Sequence, residues 1–192
     1  MIDLVAQFDE HIATIEGIRP LVGELEAVAA RMTQSLANDG KVLWMGNGGS
    51  AADSQHLAAE LIGRYRRERH GLASIALTTD TSILTAVGND YGYEHIFVRQ
   101  IEALCRPGDV VVGLSTSGNS PNVIKAIEAA RNRQAVTVGF TGGSGGKLRD
   151  MVDHCLLVPV KSTARIQEAH ILMGHMLCDW IEAAVVESAK DA

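Results

Sequence analysis

The chain has 192 residues and a formal net charge of −6, and 46% of its residues are hydrophobic. This length suits one well-buried α/β domain, and the acidic balance argues against a nucleic-acid surface, which would need a basic patch. The N-terminus lacks the features of a signal peptide, and the apolar stretch 171–186 is interrupted by His175, Asp179 and Glu182, so no membrane span is expected.

The chain begins with two predicted helices. Apolar residues recur at helical spacing over 2–16 and 21–38, as in Leu21, Leu25, Val28 and Met32. Because these helices precede the first strand, we expect them to pack on the sheet or on another subunit. We therefore predict that 1–38 is an N-terminal helical oligomerisation segment and that 39–192 is an α/β core, within a single domain spanning 1–192.

The first predicted strand, 41–45, ends in a glycine-rich loop, Gly46-Asn-Gly-Gly-Ser50. Three glycines in four positions permit positive φ and close approach of a ligand to the backbone. Gly46, Gly48 and Ala51 also fit a dinucleotide fingerprint, but the acidic residue that such a site needs about twenty positions later would fall within 64–68, which is not a strand. The loop therefore indicates ligand binding of another kind.

A helix predicted over 50–66 carries His56 and Glu60 on one face, one turn apart. Alone, such a pair is usually a surface ion pair. The rest of this helix is apolar and the glycine loop opens it, which favours a functional site. The basic cluster Arg64, Arg66, Arg67 and Arg69 is interpreted as a solvated helix end or a subunit contact.

A second loop of ligand-binding character follows the strand predicted over 109–114. Residues 110–114 are continuously apolar, as expected of a parallel strand covered on both faces. Ser115-Thr-Ser-Gly-Asn-Ser120 then supplies four hydroxyls, with Ser120 as a helix N-cap and Pro121 at the first helical position. Because a helix N-terminus attracts anions, we predict a phosphate site. The alternative is a capped turn whose serines face water.

Further strands are predicted at 73–77, 135–140 and 154–158, and further helices at 80–87, 94–104, 121–133, 144–150 and 163–188. This alternation predicts an α/β fold: a doubly wound parallel sheet of about five strands flanked by helices, with N-terminal helices and a long C-terminal helix. The last helix is apolar on more than one face, which predicts that it buries a second face in an oligomer.

Cys105, Cys155 and Cys178 are widely separated and are expected to be buried free thiols in a reducing cytoplasm.

The last helix carries polar residues amid its apolar ones, where unpaired polar groups are costly. Together, His56, Glu60, Gln167 and His175 could hold a divalent metal such as zinc. Gln167 and His175 are eight residues apart, roughly 12 Å of rise and about 80° of rotation along a helix. Either their side chains lean towards each other or two chains supply them, and we favour two chains.

Five motifs, in unbroken order over essentially the whole chain, resemble the phosphoheptose isomerase family of the sugar isomerase (SIS) domain superfamily. They are Gly46-Asn-Gly-Gly-Ser50, His56-x-x-x-Glu60-Leu-x-Gly-Arg-Tyr, Val87-Gly-Asn-Asp90, Ser115-Thr-Ser-Gly-Asn-Ser120, and Arg165-Ile-Gln-Glu-x-His170 with His175. Ala164 is a departure, since some members carry an acidic residue there.

The resemblance implies a cytoplasmic homotetramer, with active sites at subunit interfaces, that converts D-sedoheptulose 7-phosphate into D-glycero-D-manno-heptose 7-phosphate, the first step of bacterial heptose biosynthesis. It implies one Zn²⁺ per subunit held by His56, Glu60, Gln167 and His175, with Glu60 and His175 as the catalytic pair. The implied substrate-binding residues are Asn47, Gly48, Gly49, Ser50, Glu60, Asn89, Asp90, Ser115, Thr116, Ser117, Ser120 and Gln167. No nucleic-acid or membrane partner is expected, and 39–192 becomes a sugar-phosphate-binding core.

Residue chemistry supports the same reaction. Glu60, partly desolvated by its apolar helix, suits a base that carries a proton between adjacent carbons, and His175 suits proton exchange between the oxygens. Two alternatives belong to the same superfamily. A non-catalytic regulator that binds the replication-initiation protein would lack the equivalents of Glu60 and His175, and an arabinose 5-phosphate isomerase typically carries further domains.

Overall fold

The structure, a computed structural model, describes residues 2–188. The helices are α1 (Leu4–Gly17), α2 (Val22–Ala37), α3 (Gly49–Ile62), α4 (Thr81–Tyr91), α5 (Val98–Leu104), α6 (Pro121–Asn132) and α7 (Thr163–Ser188). The strands are β1 (Val42–Gly46), β2 (Ser74–Ala76), β3 (Val110–Ser115), β4 (Val136–Gly142) and β5 (His154–Val158).

The five strands form one parallel sheet in the order β2-β1-β3-β4-β5, with Leu43 opposite Val111 and Val111 opposite Thr137. The winding direction reverses between β1 and β3. In sheets of this kind, ligands bind in the crevice beyond the carboxyl ends of the two strands at the reversal. The glycine loop (46–50) follows β1, and the loop 115–120, here called the serine loop, follows β3. The topology therefore brings together two loops that are far apart in sequence.

Both faces of the sheet are covered, as the continuous apolar strands predict. In β1, Val42 and Trp44 are fully buried in a cluster with residues of α2, α3 and α7, whereas Leu43 and Met45 are fully buried with residues of α5 and α6. Successive side chains of a strand point to opposite faces, so a strand covered on both sides is apolar throughout. The doubly wound architecture is therefore confirmed.

Four predicted helices differ from the structure. The helix predicted over 50–66 ends at Ile62, because the backbone after Gly63 turns to bind a buried carboxylate described below. The helix predicted over 144–150 is only a 3-10 turn, Leu148–Asp150, since Gly143, Gly145 and Gly146 adopt positive φ. Helix α4 continues to Tyr91, and the segment 94–104 divides into a 3-10 turn and α5.

Helix α7 packs on the fold along one side and is partly exposed along the other. Among residues 2–188 it is the one helix with the length and mean hydropathy (1.2) of a membrane span. It packs on α2, α3 and the sheet, with Ala169, Met173, Leu177 and Ile181 buried, so its composition is that of a core helix. All three cysteines are free thiols, two of them buried and Cys155 half-buried.

Candidate active site

The glycine loop is joined to the start of α6 by a pair of amides. Asn47 Nδ2 donates to Asn122 Oδ1 (2.9 Å), and Asn122 Nδ2 donates to Asn47 Oδ1 (2.8 Å). The Tyr93 hydroxyl donates to the same Asn47 oxygen (3.0 Å). Asn47, Tyr93, Asn122 and Ser120 share the lining of a cavity of about 480 Å³ at this edge of the sheet. The two ligand loops predicted from sequence therefore form one site.

The serine loop has the predicted shape but a different hydrogen-bond pattern. Ser120 is the N-cap residue of α6, yet its hydroxyl pairs with that of buried Ser115 (2.9 Å) instead of capping the helix. Asn122 Oδ1 accepts from the Val123 amide (3.0 Å), and the Ser117 hydroxyl accepts from the Asn119 amide (3.2 Å). The hydroxyls thus gather around the first turn of α6, where helix N–H groups favour an anion.

A second cluster, formed by His56, Glu60 and His175, lies between α3 and α7. His56 Nε2 is 2.8 Å from His175 Nε2 and 3.3 Å from Glu60 Oε1. One potential ligand atom from each of the three residues lies within 4.8 Å of the other two. Two imidazole nitrogens and a carboxylate oxygen are ligands that Zn²⁺ accepts. Tetrahedral ligands about 2.1 Å from zinc are about 3.4 Å apart, so the cluster needs only a small adjustment to hold this ion.

Helices α3 and α7 are in close contact at Gly174. A Cβ at this position would be 2.5 Å from Leu57 Cδ1, so a larger residue would displace the buried Leu57 side chain. Helices α3 and α7 run side by side in the same direction. Gln167 therefore lies next to the first turn of α3, and His175 lies next to His56. A Cβ on Gly49 would be 2.5 Å from the Gln167 amide nitrogen.

Within one chain, His175 reaches His56 and Glu60. The expectation that two chains divide Gln167 and His175 stays a prediction. Gln167 contacts the glycine loop instead of the cluster in this conformation, so its role as a metal ligand stays a prediction.

Burial and neighbouring charge lower the pKa of the His175 imidazole, which favours its neutral form. Desolvation is the largest cause, the neighbouring His56 and Arg66 lower this pKa further, and Glu60 opposes them. The Tyr65 ring stacks on the imidazole, with centroids 5.5 Å apart and an interplanar angle of 24°. A neutral imidazole in a fixed orientation can bind a metal or exchange a proton.

In the basic cluster after α3, the Arg64 and Arg66 side chains are largely exposed, whereas Arg69 departs from the interpretation as a solvated helix end. The Arg69 side chain is 3% exposed and lies 3.5 Å from the fully buried Glu182 carboxylate. Arg66 and Arg67 form ion pairs with Asp179 on the outer side of the same segment. These arginines therefore bind α7 of their own chain, and Arg69 is not solvated.

The remaining predicted residues lie in the two loops or on α3, α4 and α7. Ser50 is buried in the first turn of α3, and its amide donates to Asn47 O (3.1 Å). Asn89 and Asp90 are exposed near the end of α4, where Asn89 Nδ2 donates to Asp90 Oδ1 (2.8 Å). Ala164 is exposed in the first turn of α7 and contributes no acid. Gly48, Thr116 and Ser117 lie in the loops themselves, at least partly exposed.

Sequence reasoning missed four residues that shape the site: Tyr65, Tyr93, Asn122 and Glu182. Asn122 directly follows Pro121, and Glu182 is an acid two turns after His175 on an apolar helix. A polar residue on the buried side of an apolar helix needs a partner, which is the signal that could have identified Glu182.

The family model described as "SIS domain" matches residues 8–142. A phosphoheptose isomerase of Roseiflexus sp. is 56% identical over 96% of this chain and 92% of its own length. Among solved structures, phosphoheptose isomerases of Neisseria gonorrhoeae and Francisella tularensis superpose with TM-scores of 0.89 and 0.91 at 50% and 39% identity. Each alignment covers 94% of this chain, together with 97% of the Neisseria chain and 96% of the Francisella chain.

The parallel sheet, the two loops at its reversal point and the family match define a protein of the SIS-domain class. Within that class, the identity over nearly the whole length shows that this chain belongs to the phosphoheptose isomerase family. The family resemblance stated from the motifs is confirmed.

Proposed function

We propose that this chain is a ketose–aldose isomerase that converts D-sedoheptulose 7-phosphate into D-glycero-D-manno-heptose 7-phosphate in the cytoplasm, at the start of heptose biosynthesis. The observation that carries the proposal is the convergence of Glu60 and His175 in one cluster, with Glu60 on the helix that the glycine loop opens. Identity of 56% over 96% of the chain to a phosphoheptose isomerase supports the substrate.

The serine loop suits the phosphate of the substrate. Ser115, Ser117 and Ser120 supply hydroxyls beside the N-terminal turn of α6, and Asn47 and Gly49 approach from the other loop. Anchoring the phosphate restricts the positions that the reacting carbons can take. Less entropy is then lost when these carbons, at the other end of the sugar, reach Glu60.

Glu60 then carries the proton between carbons. Its carboxylate removes a proton from C1 of the ketose, the electron pair forms the C1–C2 double bond, and the C2 carbonyl becomes an enediol oxygen. The proton is returned to C2 as the C1 oxygen becomes the aldehyde. His175 gives a proton to the C2 oxygen and takes one from the C1 hydroxyl, so protons and electrons balance.

We also propose that His56, Glu60 and His175 hold one zinc ion per subunit, with Gln167 as a further ligand. The three convergent donors support this assignment. When bound, the ion would stabilise negative charge on the sugar oxygens.

The regulatory alternative is not favoured. A non-catalytic relative has no need of a general base, whereas this chain keeps both Glu60 and His175 and brings them to one cluster. The direct test is to incubate the purified protein with sedoheptulose 7-phosphate. An aldoheptose phosphate is the expected product, and its absence under metal-replete conditions would reject the proposal.

Substitutions in the serine loop are expected to weaken substrate binding. Ser117→Ala and Ser120→Ala each remove a charge-assisted hydrogen bond of about 1.5–3 kcal/mol, so KM should rise by about tenfold or more. Inorganic phosphate should compete with substrate. Steady-state kinetics give both values, with exposed Ser82→Ala as the control. Unchanged KM in both variants and no effect of phosphate would make the loop a structural turn.

We further propose that the chain forms a homotetramer. Val5, Phe8 and Ile12 share one face of α1 and are 57–70% exposed, and Trp180 of α7 is 46% exposed beside a largely apolar groove. Exposed apolar surface on this scale is typical of subunit contacts. An active site next to such a contact stays part of this proposal.

Light scattering at low micromolar concentration is expected to give the mass of four chains. Phe8→Glu buries a charge in the contact and should lower that mass, whereas the neighbouring surface substitution Asp9→Asn should not. A fully active wild-type monomer would contradict the proposal.

A further inference from the structure

Glu182 is an unusual residue for the interior of α7. It is fully buried, and its carboxylate accepts three consecutive backbone amides, from Tyr65 (2.8 Å), Arg66 (2.7 Å) and Arg67 (2.6 Å). A buried carboxylate is costly unless its oxygens are fully hydrogen-bonded, and here they are. The segment after α3 is therefore wrapped around one side chain of α7.

Arg69 closes the same cluster from the other side. Its Nε lies 3.5 Å from Glu182 Oε1, and its Nη1 donates to the carbonyls of Leu61 (2.8 Å) and Gly63 (2.9 Å). Its Nη2 donates to the carbonyl of Glu60 (2.9 Å). Arg69 thus caps the final turn of α3, which carries the base, while its charge offsets that of Glu182.

Glu182 and Arg69 are each linked to one residue of the proposed catalytic pair. The Glu60 backbone is held through Arg69, and the Tyr65 backbone is held through Glu182. The Tyr65 ring lies against the His175 imidazole with centroids 5.5 Å apart. His175 and Glu182 are seven residues apart on α7, about two turns, so they face the same side of the helix.

We propose that Glu182 and Arg69 are positioning residues for the isomerisation. Glu182 acts through Tyr65, whose ring fixes the orientation of His175, and Arg69 acts through the backbone of Glu60. Neither residue contacts the ligand loops. Their loss is expected to impair the proton transfers while phosphate binding is retained. This inference rests on the proposed function.

The test compares four single variants with wild type. Glu182→Gln places an amide donor against backbone donors, and Tyr65→Ala removes the stacked ring. Each should lower kcat by about tenfold or more, because small misplacement of a catalytic group is costly, while the Kd of inorganic phosphate changes by less than about twofold. Tyr65→Phe keeps the ring and should keep kcat. Asp179→Asn, which alters only the outer ion pairs of the same segment, should also keep it.

Two measurements do not depend on turnover. The amides of Tyr65, Arg66 and Arg67 should lose hydrogen-exchange protection in Glu182→Gln and keep it in Asp179→Asn. The ring-current shift of the His175 ring protons should disappear in Tyr65→Ala and shrink in Glu182→Gln. If wild type fails to isomerise the sugar, the proposed function fails while these two readouts still judge the positioning cluster.

Wild-type kcat in a folded Glu182→Gln protein, or in Tyr65→Ala, would overturn the inference. If Glu182→Gln does not fold, Tyr65→Ala decides, because the half-exposed Tyr65 side chain can be removed without leaving a buried charge unpaired. A rise in the phosphate Kd equal to the loss of kcat would also overturn it, since that pattern indicates general distortion of the site.

Discussion

Glu60→Gln is expected to lower kcat by about 10²–10⁴-fold, the usual contribution of a positioned general base. Glutamine keeps the shape of the side chain and can still accept a hydrogen bond, but it cannot take a proton from carbon. Because the Glu60 side chain is only 22% exposed and lies 3.3 Å from His56, the substitution changes the reacting group with little change in packing. Steady-state kinetics with sedoheptulose 7-phosphate measure the loss.

Loss of turnover alone does not separate a base from a metal ligand. The variant should therefore be loaded with metal, its metal content measured, and sugar-phosphate binding checked by calorimetry. A replete Glu60→Gln protein that binds the sugar yet fails to exchange its carbon-bound hydrogen with deuterated solvent is the expected result. Glu68→Gln, at an 88% exposed site on the neighbouring segment, is the matched control. Near wild-type turnover in the replete variant would remove Glu60 from the proton transfer.

His175→Gln is expected to reduce both metal content and turnover, the latter by about 10²-fold or more. Its imidazole is one of only two nitrogen donors in the cluster, 2.8 Å from that of His56, and it is the group assigned to proton exchange between the sugar oxygens. Elemental analysis of the wild type should find about one divalent ion per chain.

His56→Ala separates the two roles of His175. It should lower metal content as well, and added zinc should restore its turnover more fully than that of His175→Gln. His154 lies on β5, and its imidazole pairs with Glu24. The control substitution His154→Gln should keep both metal content and activity. Full activity after chelation, in a protein without stoichiometric metal, would remove the ion from the mechanism.

Local chemistry made much of the site predictable. The glycine and serine loops were identified because loops that bind anions need small residues, hydroxyls and a helix N-terminus, all of which are contiguous in sequence. His56 and Glu60 were paired for the same reason, since helical spacing alone places them on one face. Their partner His175 stands 119 residues after His56, and it was identified as a polar residue amid the apolar positions of the last helix.

Other features depended on contacts that spacing cannot reveal. The helix predicted over 50–66 stops at Ile62 because the amides of Tyr65, Arg66 and Arg67 find a better acceptor in Glu182 than in the preceding turn. The segment 144–150 forms only a short 3-10 turn since its glycines take positive φ, which a periodicity argument does not detect.

The sequence by itself determined the order of strands and helices and the positions of the two loops. It did so because hydrophobic period, turn chemistry and helix caps act over a few residues. Only the tertiary structure decided that β1 and β3 are neighbours, that Asn122 binds Asn47, and that α7 runs alongside α3 so that one chain completes the His56, Glu60 and His175 cluster. These outcomes depend on burial of apolar faces and on pairing of buried polar groups between segments far apart in the chain, which local sequence does not specify.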